Sequence, residues 1–268
     1  MNYIGIKGHR GAGKKTIAYL LGNTINYLIE GKEDVSFDDA FNKWCDDIMS
    51  DENVIQDVSL TNVYFDSFGD TPKVLVGLLL GCDTSYLYDD YHKDHVVINL
   101  RDFSHKEYEE IPDDIKLYNS QELYVMFSKN TAPAVITKNT YTTLREFIMY
   151  FGREVMQRFF GVEVWIKSLK SNADLFTNIF NDDNAYRIYY DIKAPSETTY
   201  ILNKNGVVVK VDRPGHKKKN SILNRSNDNR SDYQITIKDS IYNLKNDILV
   251  IAKNIIDKNN EKGNSERS

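Results

Sequence analysis

The chain has 268 residues, of which 41% are hydrophobic and 27% are charged, and its formal net charge is −5. This composition predicts a globular protein with a sizeable core, and the acidic balance argues against broad binding to nucleic acids or membrane surfaces. The two cysteines, Cys45 and Cys82, form no C-x-x-C pair, which argues against a disulfide or zinc framework. No apolar run approaches the roughly 20 residues of a membrane-spanning helix, and no signal-peptide pattern is seen, so we expect a cytoplasmic protein.

The N-terminal segment joins an apolar run to a glycine-rich turn. Residues 2–7 are predicted to form a central strand, and the stretch Gly8-His9-Arg10-Gly11-Ala12-Gly13-Lys14-Lys15-Thr16 follows it directly. A helix with apolar residues at helical spacing then begins near Lys14 and ends near Gly31. In this context the N–H groups of the turn and the helix dipole favour a phosphate group. The pattern therefore predicts a phosphate-binding loop (P-loop) for ATP, with Lys14 reaching the β- and γ-phosphates, and the alternative is an ordinary glycine-rich turn.

One position of this loop departs from the usual pattern. Ser or Thr normally follows the lysine and helps to hold Mg²⁺, whereas here Lys15 follows it and Thr16 comes one position later. The spacing G-x-x-G-x-G-K-x-T is similar to that of nucleoside monophosphate kinases. The residues predicted to bind ATP are the loop positions Gly8, Arg10, Gly11, Ala12, Gly13, Lys14, Lys15 and Thr16.

Downstream of the loop, apolar periodicity predicts strands and helices in alternation. The predicted strands are 62–68, 186–190 and 206–211, with a further strand at either 95–100 or 123–127. The predicted helices are a patch around 41–48, a helix that begins at Thr71 and Pro72 and ends at Gly81, one that follows Thr142 and Thr143 and runs from Leu144 through Phe159, and a last one over 239–256. Such alternation indicates an α/β fold with a mostly parallel sheet covered by helices on both faces. Ligands of such sheets bind at the carboxyl ends of the strands, which places residues 8–16, 66–73 and 191–197 along one edge.

Four segments, in order along nearly the whole chain, resemble one protein family. The first is the loop at 8–16, and the second is Ser67-Phe68-Gly69-Asp70-Thr71-Pro72-Lys73, which is similar to F-A-x-P-L-K. The third, residues 143–165, is similar to the successive motifs T-P-R-E-L-L, L-G-T-E and G-x-x-x-W. The fourth is Asp191-Ile192-Lys193-Ala194-Pro195-Ser196-Glu197, similar to D-V-R-F-P-N-E, together with the later Arg213-Pro214-Gly215, similar to R-P-G. The chain therefore resembles the deoxynucleoside monophosphate kinases of tailed bacteriophages.

The resemblance implies a P-loop NTPase fold of the nucleoside-monophosphate-kinase type, with an acceptor-binding insertion and a lid. It implies one kinase domain over residues 1–258, an acceptor-binding region at about 32–170 and a lid at about 213–232. The polar residues 259–268 are predicted to be a disordered tail. The implied activity is transfer of the ATP γ-phosphoryl group to a deoxynucleoside monophosphate, with Mg²⁺ as cofactor, in the host cytoplasm if a phage encodes the chain. The accepted base and a homodimeric state stay open.

The resemblance also implies roles for individual residues. The implied catalytic residues are Lys14, Asp191, Arg153 and Arg158. A family arginine appears here as Gln157, so either Arg153 or Arg158 substitutes for it or the site is weakened. Thr16 and Asp191 would hold Mg²⁺, and Arg213 would contact ATP. The implied acceptor-binding residues are Phe68, Asp70, Lys73, Arg145, Glu154, Trp165, Lys193 and Glu197, with Phe68 or Trp165 next to the base.

Several of these positions carry a second interpretation. Asp191 is either a magnesium ligand or a cap, and Lys73 and Arg145 contact the acceptor 5′-phosphate or are solvated helix charges. The basic residues of 213–232 form either a lid over ATP or a basic loop. Residues 89–95 have metal-ligand side chains but favour a polar helix–loop face.

The departures from the family pattern leave other functions open. Lys193 stands where the family has arginine, so the charge is kept and the bidentate fork is lost. A nucleotide-binding protein without transfer activity, acting as a switch or assembly partner, is therefore the alternative to a kinase of nucleoside monophosphates. A small-metabolite kinase on the same scaffold is a third option.

Overall fold

A computed structural model describes residues 1–31, 34–51, 54–107, 110, 112, 115–128, 140–161, 163–169, 185–215 and 230–265. The chain divides into two compact units, the first comprising Met1–Phe68 and Asn172–Ser268 and the second Gly69–Ser171. The region predicted to bind the acceptor, about 32–170, thus contributes to both units. Most of the predicted lid, residues 216–229, lies outside the described residues.

The described strands, in chain order, are β1 (Asn2–Gly8), β2 (Val63–Asp66), β3 (Val96–Asn99), β4 (His105–Glu107), β5 (Tyr141–Thr143), β6 (Tyr186–Ile192), β7 (Val207–Asp212) and β8 (Tyr233–Thr236). The helices are α1 (Lys14–Glu30), α2 (Phe37–Ser50), α3 (Val54–Asp57), α4 (Asp70–Leu80), α5 (Thr84–Tyr88), α6 (Asp90–His95), α7 (Ser120–Ser128), α8 (Leu144–Met149), α9 (Arg158–Phe160), α10 (Pro195–Asn203) and α11 (Lys245–Ser265). A π-helix (Tyr150–Gln157) joins α8 to α9, and a 3₁₀ helix (Ile241–Leu244) precedes α11.

The first unit is built on a five-stranded sheet in the order β2-β6-β1-β7-β8. Every neighbouring pair in this sheet is parallel. The central strands are almost entirely apolar, as expected for strands that are buried on both faces. The sequence-based prediction of an α/β architecture with a parallel sheet is therefore confirmed.

Helices cover both faces of this sheet. Ile4 and Ile6 of β1 pack into one core cluster with residues of α1 and α11. Gly5, between them, faces the opposite side, where a Cβ atom would lie 3.3 Å from Cγ1 of Ile201 on α10. Because the strands are parallel, the carboxyl ends of β1, β2 and β6 meet at one edge of the sheet. Gly8, Asp66 and Asp191 lie at that edge.

The second unit has its own small sheet and core. β3 pairs antiparallel with both β4 and β5. Apolar residues of this sheet and of the helices around it form a separate core cluster: Val76, Leu80, Leu87, Val96, Ile98, Leu100, Leu123, Met126, Leu144 and Phe147. No helix in the described part of the chain combines the length and the apolarity needed to cross a membrane.

Two segments of the second unit differ from the predicted elements. A strand was predicted at either 95–100 or 123–127. Residues 123–127 lie in the helix α7, since the buried Leu123 and Met126 are spaced as on a helix, and the strand is β3, within 95–100. The helix predicted to follow Thr142 and Thr143 begins at Leu144, directly after Tyr141–Thr143, which pair with β3. That helix then changes into the π-helix, which sequence periodicity does not predict.

The C-terminal part of the first unit also differs. The last helix continues to Ser265, so residues 259–265 are helical where a disordered tail is predicted. Asn259 forms a side-chain hydrogen bond with Tyr186 of β6, and this tertiary anchor cannot be read from composition. β8 was not predicted, because its four residues bury only Ile235 and give too short a pattern.

Candidate functional site

The loop between β1 and α1, residues 8–16 (the glycine loop), depends on its glycines. Gly11 and Gly13 have φ values of +77° and +89°, a region that favours glycine. At Gly8 a Cβ atom would lie 2.5 Å from the backbone oxygen of Val211, so only glycine lets β1 approach β7 this closely. The loop is closed by a hydrogen bond from the Ala12 N–H to the His9 carbonyl oxygen, 3.1 Å long. These constraints give a tight turn that ends at the N-terminus of a 17-residue helix.

Lys14, the first residue of α1, folds back over the glycine loop. Its Nζ atom donates to the carbonyl oxygens of Gly8 at 3.2 Å and His9 at 3.1 Å. The same atom lies 3.9 Å from Oδ1 of Asp191. Burial lowers the pKa of Lys14, and the nearby Asp191 carboxylate acts in the opposite direction. The loop therefore holds a largely buried ammonium group against its own backbone.

Asp191 reaches the loop because β6 contains an irregularity. Gly5 of β1 pairs with Tyr189 of β6, and the next registered pair is Lys7 with Ile192. β6 thus has one residue more than β1 over this interval, which interrupts the strict alternation of its side chains. Asp191 lies in that interval and contacts Lys14. Sequence analysis predicted a strand that ends in Asp191, and β6 (Tyr186–Ile192) ends one residue later.

Thr16 and Asp191 suit Mg²⁺ in the chemistry of their donor atoms, a hydroxyl and a carboxylate. Mg²⁺ prefers oxygen ligands and commonly uses one or two carboxylates together with substrate phosphates and waters. Oδ2 of Asp191 also lies 2.5 Å from Nζ of Lys193, so a cation would share this carboxylate with two lysines. Within the described residues no group of three or more His, Cys, Asp and Glu side chains could hold a metal ion.

Glu197, one of the residues predicted to bind the acceptor, caps the helix that follows β6. Oε2 of Glu197 accepts hydrogen bonds from the backbone N–H groups of Lys193 at 2.6 Å and Ala194 at 2.9 Å. Glu197 thus stabilises the start of α10, which has Pro195 in its first turn. Burial raises the pKa of Glu197 against the opposing effect of these hydrogen bonds. Arg213 is exposed directly after β7.

Phe68, predicted to lie near the acceptor base, is buried in the first unit. Its ring stacks on Tyr189 with a centroid distance of 4.8 Å. Tyr200 meets both rings edge-on, and Tyr3 stacks on Tyr189 from β1. This arrangement makes Phe68 part of an aromatic cluster between β1, β6 and α10.

The second unit contains most of the other predicted acceptor residues. Nζ of Lys73 lies 3.0 Å from Oδ1 of Asp70 and 4.4 Å above the centre of the Tyr88 ring. Trp165 is buried, and its Nε1 donates to the carbonyl oxygen of Gly152 on the π-helix at 3.0 Å. Trp165, like Phe68, therefore packs in the interior.

The predicted arginines differ in their surroundings. Arg145 on α8 forms ion pairs with Asp90 at 3.0 Å and with Asp94, both on α6. Arg153 on the π-helix lies 3.6 Å from Glu154, and Arg158 lies 4.2 Å above the Tyr124 ring. Sequence analysis interpreted residues 89–95 as a polar helix–loop face, and α6 lies there after the N-cap Asp89, but the pairing of its carboxylates with Arg145 was not predicted.

Two buried charged residues of the parallel sheet, Lys7 and Arg187, were also missed. Lys7, almost buried in β1, donates from Nζ to the carbonyl oxygen of Arg230. Arg187, buried on β6, forms an ion pair of 3.0 Å with Asp66 at the end of β2. Both residues lie within mainly apolar strands, and this position could have indicated that each needs a partner, since buried charges are paired.

Comparison with models of known protein families and with curated proteins gives no match for this chain.

Proposed function

We propose that the chain is an ATP-dependent nucleoside monophosphate kinase, which transfers the γ-phosphoryl group of ATP to a deoxynucleoside monophosphate and forms ADP and a deoxynucleoside diphosphate. The observation that supports this most is the glycine loop after the central strand β1, with the Lys14 ammonium group over it and Asp191 3.9 Å away. Backbone N–H groups, a helix N-terminus, a lysine and a carboxylate are the groups that phosphoryl transfer requires.

The strand order adds support for a nucleotide site at this edge. β1 is flanked by β6 and β7, and the chain crosses from one side of β1 to the other between these two strands. Parallel sheets bind ligands where the strand order reverses in this way, outside the carboxyl ends of the strands. The glycine loop follows β1 at that point.

In the proposed reaction Lys14 leaves the carbonyl oxygens of Gly8 and His9 and binds the β- and γ-phosphates. Its charge then stabilises the negative charge that develops on the transferring group. Thr16 and Asp191 would hold Mg²⁺ or its waters, and the ion would neutralise charge on the β- and γ-oxygens. Lys73 and Arg145 would bind the 5′-phosphate of the acceptor, since both are cations in segments that resemble the acceptor-binding segments of the phage kinases.

A nucleotide-binding protein without transfer activity is the second candidate. Nζ of Lys193 lies 2.5 Å from Oδ2 of Asp191, and this ion pair competes with a magnesium ion for the carboxylate. A site whose carboxylate stays with lysine would bind a nucleotide but would transfer its phosphoryl group poorly.

The test is an assay of ADP release with Mg²⁺-ATP and each common ribo- and deoxyribonucleoside monophosphate. We expect turnover with at least one deoxynucleoside monophosphate, and Lys14→Ala should lower kcat about 100-fold, since loss of one group that stabilises the transition state costs about 3 kcal/mol. Lys43→Ala, at an exposed lysine of α2, is the control and should keep the activity.

Wild-type turnover by Lys14→Ala would contradict the proposed mechanism. ATP binding without turnover on any acceptor would favour the second candidate. Binding is measured by titration calorimetry with a non-hydrolysable ATP analogue, so that the two candidates are separated by different readouts.

A further inference from the structure

Three cations of the second unit lie close together: Lys73 on α4, Lys93 on α6 and Arg145 on α8 (the cation cluster). Nζ of Lys93 lies 2.7 Å from Oδ1 of Asp90, and Nη2 of Arg145 lies 3.0 Å from the same oxygen atom. One carboxylate oxygen thus bridges two cations.

The third cation is connected to the other two through Tyr88. Nζ of Lys93 donates to the Tyr88 carbonyl oxygen at 3.3 Å, and Nζ of Lys73 lies 4.4 Å above the Tyr88 ring. Burial lowers the pKa of Lys93, and the charges of Lys73 and Arg145 act in the same direction, while Asp90 opposes them. The cations therefore repel one another, and carboxylates hold the cluster together.

Exposure differs sharply between the cations and the carboxylate that bridges them. The side chains of Lys73, Lys93 and Arg145 are 16%, 12% and 20% exposed, whereas that of Asp90 is 58% exposed. The cations are therefore held by the protein interior, and the bridging anion faces the solvent. Because Asp90 faces the solvent, an anion from solution can take its place while the cations stay where the protein interior holds them.

We propose that Asp90 occupies the position of a phosphate group, and that Lys93 and Arg145 bind a phosphate monoester when Asp90 gives way. If the proposed kinase function holds, on which the identity of the ligand rests, this ligand is the 5′-phosphate of the acceptor nucleotide. Asp94 also pairs with Arg145, whereas the Asp90 oxygen pairs with both Arg145 and Lys93. A phosphate monoester carries up to two negative charges and three terminal oxygens, so in the place of that one oxygen it satisfies the two cations better. Lys93 is then an acceptor-binding residue that sequence analysis did not identify.

A purely structural ion-pair network gives a different expectation for Asp90. If Asp90 only ties α6 to α8, Asp90→Asn weakens the unit and leaves anion binding unchanged or poorer. If Asp90 holds the place of a phosphate, Asp90→Asn removes a competing anion and tightens binding. The sign of this one effect separates the two interpretations.

The experiment measures KM for the acceptor nucleotide in wild type, Asp90→Asn and Lys93→Met. We expect KM to fall about threefold in Asp90→Asn and to rise about tenfold in Lys93→Met, because charge-assisted hydrogen bonds to phosphate are among the strong ones. KM for Mg²⁺-ATP should stay unchanged in both. Lys116→Met and Glu122→Gln are matched controls, since Lys116 and Glu122 form an ion pair of 2.8 Å in the same unit, with Lys116 4.8 Å from the Tyr118 ring.

A second measurement does not depend on turnover. Titration calorimetry without ATP, using inorganic phosphate and each deoxynucleoside 5′-monophosphate as probes, should show tighter binding in Asp90→Asn and weaker binding in Lys93→Met. This pattern in a protein without kinase activity would support the phosphate site and reject the proposed function. Kinase activity with no opposite change in the two variants, by KM or by calorimetry, would overturn the phosphate site alone. Absence of both turnover and binding of any probe by the wild type would reject both proposals.

Discussion

The glycine loop of the first unit and the cation cluster of the second hold their cations by different means. Lys14 lies against carbonyl oxygens of its own loop, within a turn of consecutive residues. Arg145 is held by carboxylates on another helix, more than 50 positions earlier in the chain. The first site is made mainly of backbone, and the second is made of side chains.

This difference decides which substitutions each site tolerates. A site made of backbone depends on its glycines and on the strand behind it, so an added methyl group there disturbs the whole unit. A site made of side-chain ion pairs depends on charge and hydrogen-bond geometry, so we expect substitutions there to change binding more than folding.

Gly8→Ala is expected to have the largest effect. The new Cβ atom would lie 2.5 Å from the backbone oxygen of Val211, which cannot rotate away, so we expect a loss of about 3 kcal/mol in the free energy of unfolding. Gly31→Ala is the matched control, because Gly31 has a φ of +60° but open space around its Cα, and it should cost about 1 kcal/mol. Urea unfolding measures both, and equal losses would contradict the packing described for β1 and β7.

Asp191→Asn is expected to lower activity more than stability. Asparagine keeps the shape but removes the negative charge that lies 3.9 Å from the Lys14 ammonium group, so we expect kcat to fall about tenfold, which corresponds to about 1.4 kcal/mol. The melting temperature should shift by a few degrees only, and the dependence of the rate on Mg²⁺ should weaken.

Asp212→Asn is the control for this change, because Asp212 ends β7, the strand on the other side of β1, and also pairs with a lysine, at 3.0 Å. It should leave kcat unchanged. A large loss of stability in Asp191→Asn with unchanged kcat would instead support the interpretation of Asp191 as a cap.

Arg145→Lys tests the cation cluster, because it removes the forked guanidinium group and keeps the positive charge. Lysine keeps the charge but cannot bind a phosphate group with the paired hydrogen bonds of a guanidinium group, so we expect KM for the acceptor to rise about threefold with little change in stability. Arg101→Lys, at an exposed arginine of the same unit, should change neither. A loss of stability as large as that of Gly8→Ala would show that Arg145 is a folding element.

Backbone sites are also easier to predict from sequence than side-chain sites. The positions of Gly8, Gly13 and Lys14 in one short stretch indicate the turn and the helix start, and the structure has both where they were predicted. The parallel sheet follows from apolar runs that are each local.

The rest depends on contacts that no local pattern contains. Lys93 and Asp90 lie on a six-residue helix without buried residues, so periodicity gives no signal there. Asp191 reaches Lys14 through a register irregularity between β1 and β6, which the sequence of either strand alone does not show. Phe68 was assigned to the base because it lies in a motif, whereas the structure buries it against Tyr189.

Tyr189→Phe is expected to have the smallest effect, and it tests whether the side chains behind the ligand edge belong to the site. Tyr189 is fully buried, and its hydroxyl has no hydrogen-bond partner among the described residues, so removing that group should stabilise the protein by up to about 1 kcal/mol. Burial raises the pKa of Tyr189 above that of an unfolded tyrosine. Above a pH of about 10, the pKa of an unfolded tyrosine, Tyr189 ionises in the unfolded chain but stays protonated in the folded one, so wild type loses stability as the pH rises. The variant lacks this group, so it should lose less stability than wild type between about pH 9 and pH 11. Urea unfolding at these two pH values measures the difference, with Tyr19→Phe as a control that removes a hydroxyl donating to Asp47.

The activity of Tyr189→Phe is the second measurement. Unchanged kcat would agree with a site made of the loop backbone, Lys14 and Asp191, and a loss of activity would place the Tyr189 hydroxyl within that site.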